Sequence, residues 1–302
     1  MNNTYFTICK ADQEQREHVL SQSAIKNKET KKNAIIYVAI KDNNSIIGSI
    51  IVVEQNISTK IMGKCWYIAE IFVHQKHRKN GIATALFAEI KKEAELSNIQ
   101  YFWGHARPSI EASMFWLKQG VTMHPFGAMN DDINKPLIYG NYFHIFSYCV
   151  RRKSLYGGSC GINIRAIVKD EMSALINKYI VDESKKKTFL SNVDQLFGYV
   201  ALGENNDSRG VVFAFPHDMK APFDSTYWVT NIYVDPKFRH QGIGRSLVWQ
   251  LYQHAKEKEV IQLTSFTTEY DVGFWYELGF DVYFRGKNTQ GVTLAAAMLR
   301  VK

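Results

Sequence analysis

The chain carries one phrase twice: residues 77–87 read HRKNGIATALF and residues 239–249 read RHQGIGRSLVW. In each, an Arg is followed by two polar residues, a Gly, an Ile and a second small residue. Each phrase also opens an amphipathic run, with apolar positions at Ile82, Ala85, Leu86 and Ile90 in the first copy and at Ile243, Leu247, Leu251 and Ala255 in the second. That spacing predicts a helix beginning directly after the glycine. The first N–H groups of a helix have no internal partners, and its dipole adds partial positive charge there. Glycine lets an anion approach that backbone closely, so the phrase reads as a phosphate cradle. Ala83 or Gly244 leaves room for the bound group, and Arg78 or Arg239 adds charge beside it. One isolated copy would equally describe an ordinary helix start.

Outward from the phrase, the same order of elements appears in both halves. Ahead of His77 stand a strand YFTICKA, a polar helical stretch from Asp12 to Ser23, and strands AIIYVAIK and IIGSIIVVEQ joined by the turn KDNNS. WYIAEIFV follows, a continuous apolar run that suits a strand buried on both faces. Beyond the first amphipathic helix come a strand QYFWGHA, a helix IEASMFWLKQG and a terminal strand YFHIFSYCVR. The second half offers INIRAIV, a helix from Asp170, strands LFGYVALG and GVVFAFP, and YWVTNIYV in the place of WYIAEIFV. After its phrase come IQLTSF, the helix VGFWYELG and a last strand VTLAAAMLRV. Arg78 to Arg239 and Trp116 to Trp275 give nearly one offset, about 160 residues. The expected organisation is two copies of one domain, residues 1–152 and 162–302. Residues 153–161, rich in Gly and Ser, read as the linker.

Later in each half stands FW, three residues, Gly and an apolar residue: FWLKQGV from Phe115 and FWYELGF from Phe274. Strand, glycine loop, helix, strand and a helix ending in this pattern resemble the GNAT superfamily of acyl-CoA-dependent N-acetyltransferases. The cofactor loop of that family reads Gln/Arg-x-x-Gly-x-Gly/Ala, which RKNGIA and RHQGIG both satisfy. Its aromatic pair ahead of Leu-Gly-Phe is matched closely by FWYELGF and more loosely by FWLKQGV. The resemblance covers nearly the whole chain. It implies a mixed α/β (α+β) fold of two tandem domains, each a mostly antiparallel central sheet flanked by helices, with a splayed strand pair for acyl-CoA.

The same likeness implies where acetyl-CoA lies. Its pantetheine arm would run between the fourth and fifth strands, paired with the backbone of Ile71, Phe72 and Val73, or of Ile232, Tyr233 and Val234. Its pyrophosphate would rest on the N–H groups of Asn80, Gly81, Ile82, Ala83 and Thr84, beside Arg78 and Lys79. In the second copy the matching set is Gln241, Gly242, Ile243, Gly244 and Arg245, beside Arg239 and His240. Trp116 and Trp275 take the place of a family tyrosine that protonates the departing thiolate. An indole is a poor proton source, so those two either cap the slot or pack the core.

Amine acetylation also needs a base. Glu70 is the only charge inside WYIAEIFV, and a carboxylate in an apolar run is placed to act as a base near neutrality. It equally suits a buried donor that needs an acceptor. Its counterpart Asn231 cannot take a proton. His105, at the end of a strand beside the gap, is a second candidate base, and Glu269 and Asp271 are weaker options in the second half. Tandem members of the superfamily pair a catalytic copy with a structural one. Glu70 favours the first half for catalysis, whereas the fuller GIG and LGF favour the second.

Composition sets outer bounds. A 46% hydrophobic and 13% aromatic content supports packed cores. No apolar window reaches the roughly 18–20 residues of a membrane span, and the N-terminus lacks signal-peptide grammar. Cys9, Cys65, Cys149 and Cys160 show no metal-ligand spacing and read as reduced thiols of a cytoplasmic protein, so no metal is expected. The net charge of +8 favours an anionic partner and disfavours a polycationic acceptor. Lysine runs at 26–32, 151–154 and 184–187 read as solvated faces. The expected partner is a small-molecule or peptide amine. No nucleic-acid motif occurs, although an aminoacyl-tRNA acceptor stays open, as does a non-catalytic acyl-CoA sensor.

Overall fold

AIIYVAIK and IIGSIIVVEQ send alternate side chains to opposite faces, and they pair antiparallel as the start of a seven-stranded sheet. In a computed structural model of the chain, residues 5–41, 44–55, 64–99, 101–106, 109–124, 144–149, 155–157, 161–217, 225–287 and 292–301 are described. They fall into two units, Met1–Arg151 and Arg152–Lys302. Arg151–Ser154, Cys160 and most of the expected linker lie outside the described residues.

The first unit runs β1 (Thr7–Lys10), α1 (Gln13–Gln22), α2 (Lys28–Lys32), β2 (Ala34–Lys41), β3 (Ser45–Gln55), β4 (Cys65–Val73), α3 (Ile82–Leu96), β5 (Tyr101–Ala106), α4 (Ile110–Lys118), β6 (Thr122–His124) and β7 (His144–Cys149). The second repeats this as β8 (Asn163–Ala166), α5 (Lys169–Tyr179), α6 (Glu183–Ser191), β9 (Phe197–Leu202), β10 (Ser208–His217), β11 (Thr226–Val234), α7 (Ile243–Glu257), β12 (Gln262–Thr268), α8 (Val272–Glu277), β13 (Asp281–Lys287) and β14 (Thr293–Arg300). Strand order is β1-β2-β3-β4-β5-β7-β6 in one sheet and β8-β9-β10-β11-β12-β14-β13 in the other. The two topologies are the same. Each sheet is antiparallel except at β4/β5 and β11/β12.

β4 and β11 read as apolar runs buried on both faces, but only Cys65, Trp66 and Ile68 of β4 and Thr226 and Val229 of β11 are buried; the ends next to the repeated phrases are half-buried, and Phe72 is exposed. Val19 of α1 packs with Ile36, Val38, Ile51 and Val53. α3 buries Ile82, Leu86 and Ile90 as its period predicts, and Phe87 and Ala94 as well, while Ala85 is half-buried. α7 buries Ile243, Leu247, Val248, Leu251 and Ala255 in the same way. Each fully buried Ile, Leu, Val or Phe side chain among them contributes about 1.5–3 kcal/mol.

Four elements carry little signal in the sequence. β6 is a three-residue strand placed by its pairing with β7, and β13, seven residues long, pairs with the next strand, β14. α2 and α6 fall inside the lysine-rich runs. Asn27 caps α2 by accepting from Glu29 and Thr30 N–H, and Asp182 caps α6 by accepting from Lys185 N–H at 2.7 Å. These short helices bury no residue and only Phe189 respectively, so their period is nearly silent.

Gly198 of β9 gives a direct test of sheet packing. A Cβ there would stand 2.1 Å from the carbonyl oxygen of Val212 on the neighbouring strand. Gly198→Ala is expected to lower unfolding free energy by about 1–3 kcal/mol, read from a urea transition of the full chain.

Candidate functional site

Each repeated phrase folds into the same loop. A single 3-10 turn, Gln75–His77 or Pro236–Phe238, follows the end of β4 or β11. Lys79 (φ 64°) and His240 (φ 63°) are then left-handed, as are Gly81 (φ 77°) and Gly242 (φ 81°). A non-glycine residue in that region costs about 1–2 kcal/mol, so both loops hold strain at the same position. The helix ladder starts from the glycine carbonyl, with Ala85 N donating to Gly81 O at 2.9 Å and Ser246 N to Gly242 O at 3.0 Å. Neither glycine offers a side-chain cap, whereas Asp12, Asn27, Ser109 and Asp182 cap other helices of this chain. The first N–H groups of α3 and α7 are therefore left to an outside acceptor. Residues 78–81 and 239–242, which lead into those helices, are exposed.

The arginines differ from the sequence expectation in detail. Arg78 Nε donates to Val73 O at 3.1 Å and Arg239 Nε to Val234 O at 3.0 Å. Each one braces the loop against the strand end. Ile82 and Ile243 are each 1% exposed, so only their backbone can serve a ligand. Asn80 Nδ2 donates back to His77 O, and Thr84 Oγ1 accepts from Gln119 Nε2. Gly244, expected to leave space for the bound group, first makes space for Phe274. A Cβ at Gly244 would lie 3.1 Å from Phe274 Cε2.

Beside the loops, the parallel strands separate. β4 and β5 pair only from Cys65/Tyr101 to Ile68/Gly104, and β11 and β12 only from Thr226/Gln262 to Trp228/Thr264. Past those points Ile71, Phe72 and Val73, like Ile232, Tyr233 and Val234, are released from the fifth strand. A bulge in the antiparallel partner register, between Ile51/Val52 and between Phe213/Ala214, bends both strands at the split. In the second unit the split opens into a cavity of about 670 Å³. Ile232, Tyr233 and Val234 line it, with Arg239, His240, Gly242, Ile243, Gly244, Arg245 and Trp275; Gln241 does not. Arg245 stacks over the Tyr156 ring at 4.6 Å, and its buried Nη1 has no partner among the described residues, a donor suited to an anionic oxygen.

The expected base positions fall at equivalent places. Glu70 pairs across from Ile51, and Asn231 across from Phe213, each at its bulge. Glu70 is half-buried, and its Oε2 accepts from Ala24 N at 3.1 Å, at the end of α1. His105 lies one residue past the last β4/β5 pair. Its counterpart by register, Phe266, lines the second cavity. His105 Nδ1 shares a hydrogen bond with Tyr67 Oη at 3.1 Å, directed by the imidazole tautomer. Burial pushes the His105 pKa down and the Tyr67 pKa up, so both are held neutral at physiological pH. Sequence reasoning misses Tyr67 because its partner is 38 residues away. Asp271 lines the second cavity.

Trp116 and Trp275 are 4% and 3% exposed. Trp116 meets Phe87 edge-on at 5.4 Å, and Trp275 meets Phe280 at 4.8 Å. Both are core residues, and Trp275 also forms part of the cavity wall. No cluster of three or more His, Cys, Asp or Glu side chains is arranged for a metal among the described residues. Among those residues, no helix is long and apolar enough to cross a membrane.

Comparison with known proteins adds the following. The model of the acetyltransferase (GNAT) family matches residues 3–120 and again residues 165–280. Solved structures with a related fold include a GNAT family acetyltransferase from Staphylococcus aureus (13% identity, TM-score 0.37, covering 48% of this chain and 99% of that one). The ribosomal-protein-S18-alanine N-acetyltransferase of Escherichia coli is similar at 17% identity and TM-score 0.38, covering 47% of this chain and 94% of its own. A GNAT family N-acetyltransferase of Escherichia coli in complex with CoA is similar at 20% identity and TM-score 0.38, covering 47% and 82%. No curated protein matches the chain.

Proposed function

The chain belongs to the acetyltransferase (GNAT) family over both of its halves, and on that premise we propose that it is an N-acetyltransferase. In this reading it moves an acetyl group from acetyl-CoA to a primary amine of a small molecule or peptide. The observation that carries the reading is the pairing, in each unit, of an uncapped glycine-started helix with a strand pair that splits beside it. Acyl-CoA, when bound, supplies an activated thioester.

The chain's own residues do the rest. N–H groups at 80–84 and 241–245 hold phosphate oxygens, as does the buried Nη1 of Arg245. The released segments of β4 and β11 offer backbone partners to an extended amide chain. Glu70 takes the proton that an incoming ammonium must lose, and the neutral His105, oriented by Tyr67, is a second acceptor for it. The first unit is the catalytic one, because the second has Asn231 in place of the carboxylate. Core-packed Trp116 does not act as the acid, so the thiolate takes its proton from solvent. The excess of positive charge disfavours a polycationic acceptor.

Glu70→Gln keeps the shape and removes the base. It is expected to lower kcat on a responsive amine by about 10²–10⁴-fold while CoA affinity is retained. An unchanged kcat would remove Glu70 from the mechanism.

A further inference from the structure

Lys185 belongs to the run SKKK, whose composition suggests a solvated face. Its position on α6 gives it a different surrounding. One helical turn separates it from Phe189, so the two share a side of the helix. Phe189 is 4% exposed in the core, and Lys185 goes inward with it, its Nζ 5.6 Å from the Phe189 ring centroid. Its neighbour Lys186 makes an ordinary i,i+3 pair with Glu183. Among the described residues Lys185 has no carboxylate within ion-pair distance. Instead its Nζ donates to Asn231 Oδ1 at 3.1 Å. Burial pushes its pKa down, only partly opposed by Asp182, which favours the neutral, nucleophilic amine.

Its neighbours give this amine a chemical setting. Asn231 sits at the bulge where β11 has parted from β12, the register position that Glu70 holds in the first unit. Lys185 and Asn231 line the same cavity as Arg239, Gly242 and Arg245. One cavity therefore has an anion cradle among its walls and a primary amine hydrogen-bonded to Asn231, the residue that stands where the other copy carries a carboxylate.

We propose that Lys185 is a self-acylation site, its ε-amine accepting the acyl group of acyl-CoA held in the second unit. This rests on the reading that the second unit binds acyl-CoA. The neutral Nζ forms a bond to the thioester carbonyl carbon and the C–S bond breaks. The electron pair leaves with sulfur, and the proton lost by nitrogen goes to the thiolate or to water. The products are an Nε-acyl-lysine and free CoA, and no further reactant is needed. The modified side chain keeps one N–H for Asn231 but can no longer be protonated. Each chain reacts once at this position, so the second unit stores an acyl group rather than turning over.

The test incubates the full chain with acetyl-CoA and maps acetyl groups on every lysine by peptide mass. CoA binding is measured calorimetrically in parallel. Lys185 is expected to be modified well ahead of Lys186 and Lys187. Gly242→Glu should abolish that preference, and excess free CoA should suppress it in the wild-type chain, a control that does not depend on a variant folding. Intact Lys185→Arg should be lighter by one acetyl group after the same treatment. The inference is overturned if CoA binds the second unit and Lys185 stays unmodified, or reacts no faster than its neighbours, or reacts equally in Gly242→Glu. Absence of any CoA binding that Gly242→Glu removes would instead overturn the reading of the second unit, and the inference with it.

Discussion

Gly242→Glu is expected to abolish CoA binding by the second unit, and Gly81→Glu to abolish it in the first, each leaving the other unit intact. Both glycines are left-handed helix starts with exposed backbone, so a side chain there enters the space an anion would fill. The introduced carboxylate is itself an anion at the positive end of a helix, where it competes with phosphate. Loss of two charge-assisted hydrogen bonds, about 1.5–3 kcal/mol each, weakens binding by a hundredfold or more. Strain from the new side chain adds about 1–2 kcal/mol against the folded loop. A Cβ at Gly81 would meet no atom of the described residues within 4 Å beyond its own chain neighbours, so the fold itself has room for the substitution. Calorimetry with CoA, alongside circular dichroism for folding, reads the result. Undiminished affinity in either variant would show that the corresponding loop is not a cradle.

Trp275→Ala has the second large effect, on stability. The indole is 3% exposed and touches Phe274 and Phe280 edge-on at 5.2 and 4.8 Å, pinning α8 to the chain that enters β13. Truncating it should destabilise the second unit by about 3–5 kcal/mol, seen as an earlier urea transition. Trp116→Phe in the first unit keeps an aromatic of similar shape and should leave kcat within a few-fold. A collapse of kcat in Trp116→Phe without loss of stability would mean that the indole N–H serves the reaction after all.

The duplicated architecture is legible in the sequence because its signals are local. A glycine after a polar loop, a 3.6-residue stripe and an FW-x-x-x-G ending each lie within a dozen residues. They place α3 and α7, with the strands before them, correctly. What stays hidden depends on pairing across the chain. β6, three residues long, exists because β7 accepts it. Glu70 is visible as a lone charge, but its partner Ala24 is 46 residues away. Gly244 looks like room for a ligand, yet its neighbour is Phe274. Lys185 is masked by its charged neighbours, although Phe189 one turn later marks the face that turns inward.

The central claim is that a repeated phrase makes a repeated site. Native mass spectrometry of the intact wild-type chain with saturating CoA tests it most directly. Two CoA molecules bound per chain is the predicted result. A single bound CoA would contradict the claim that both copies are working cradles, and none would contradict the cofactor reading of the chain.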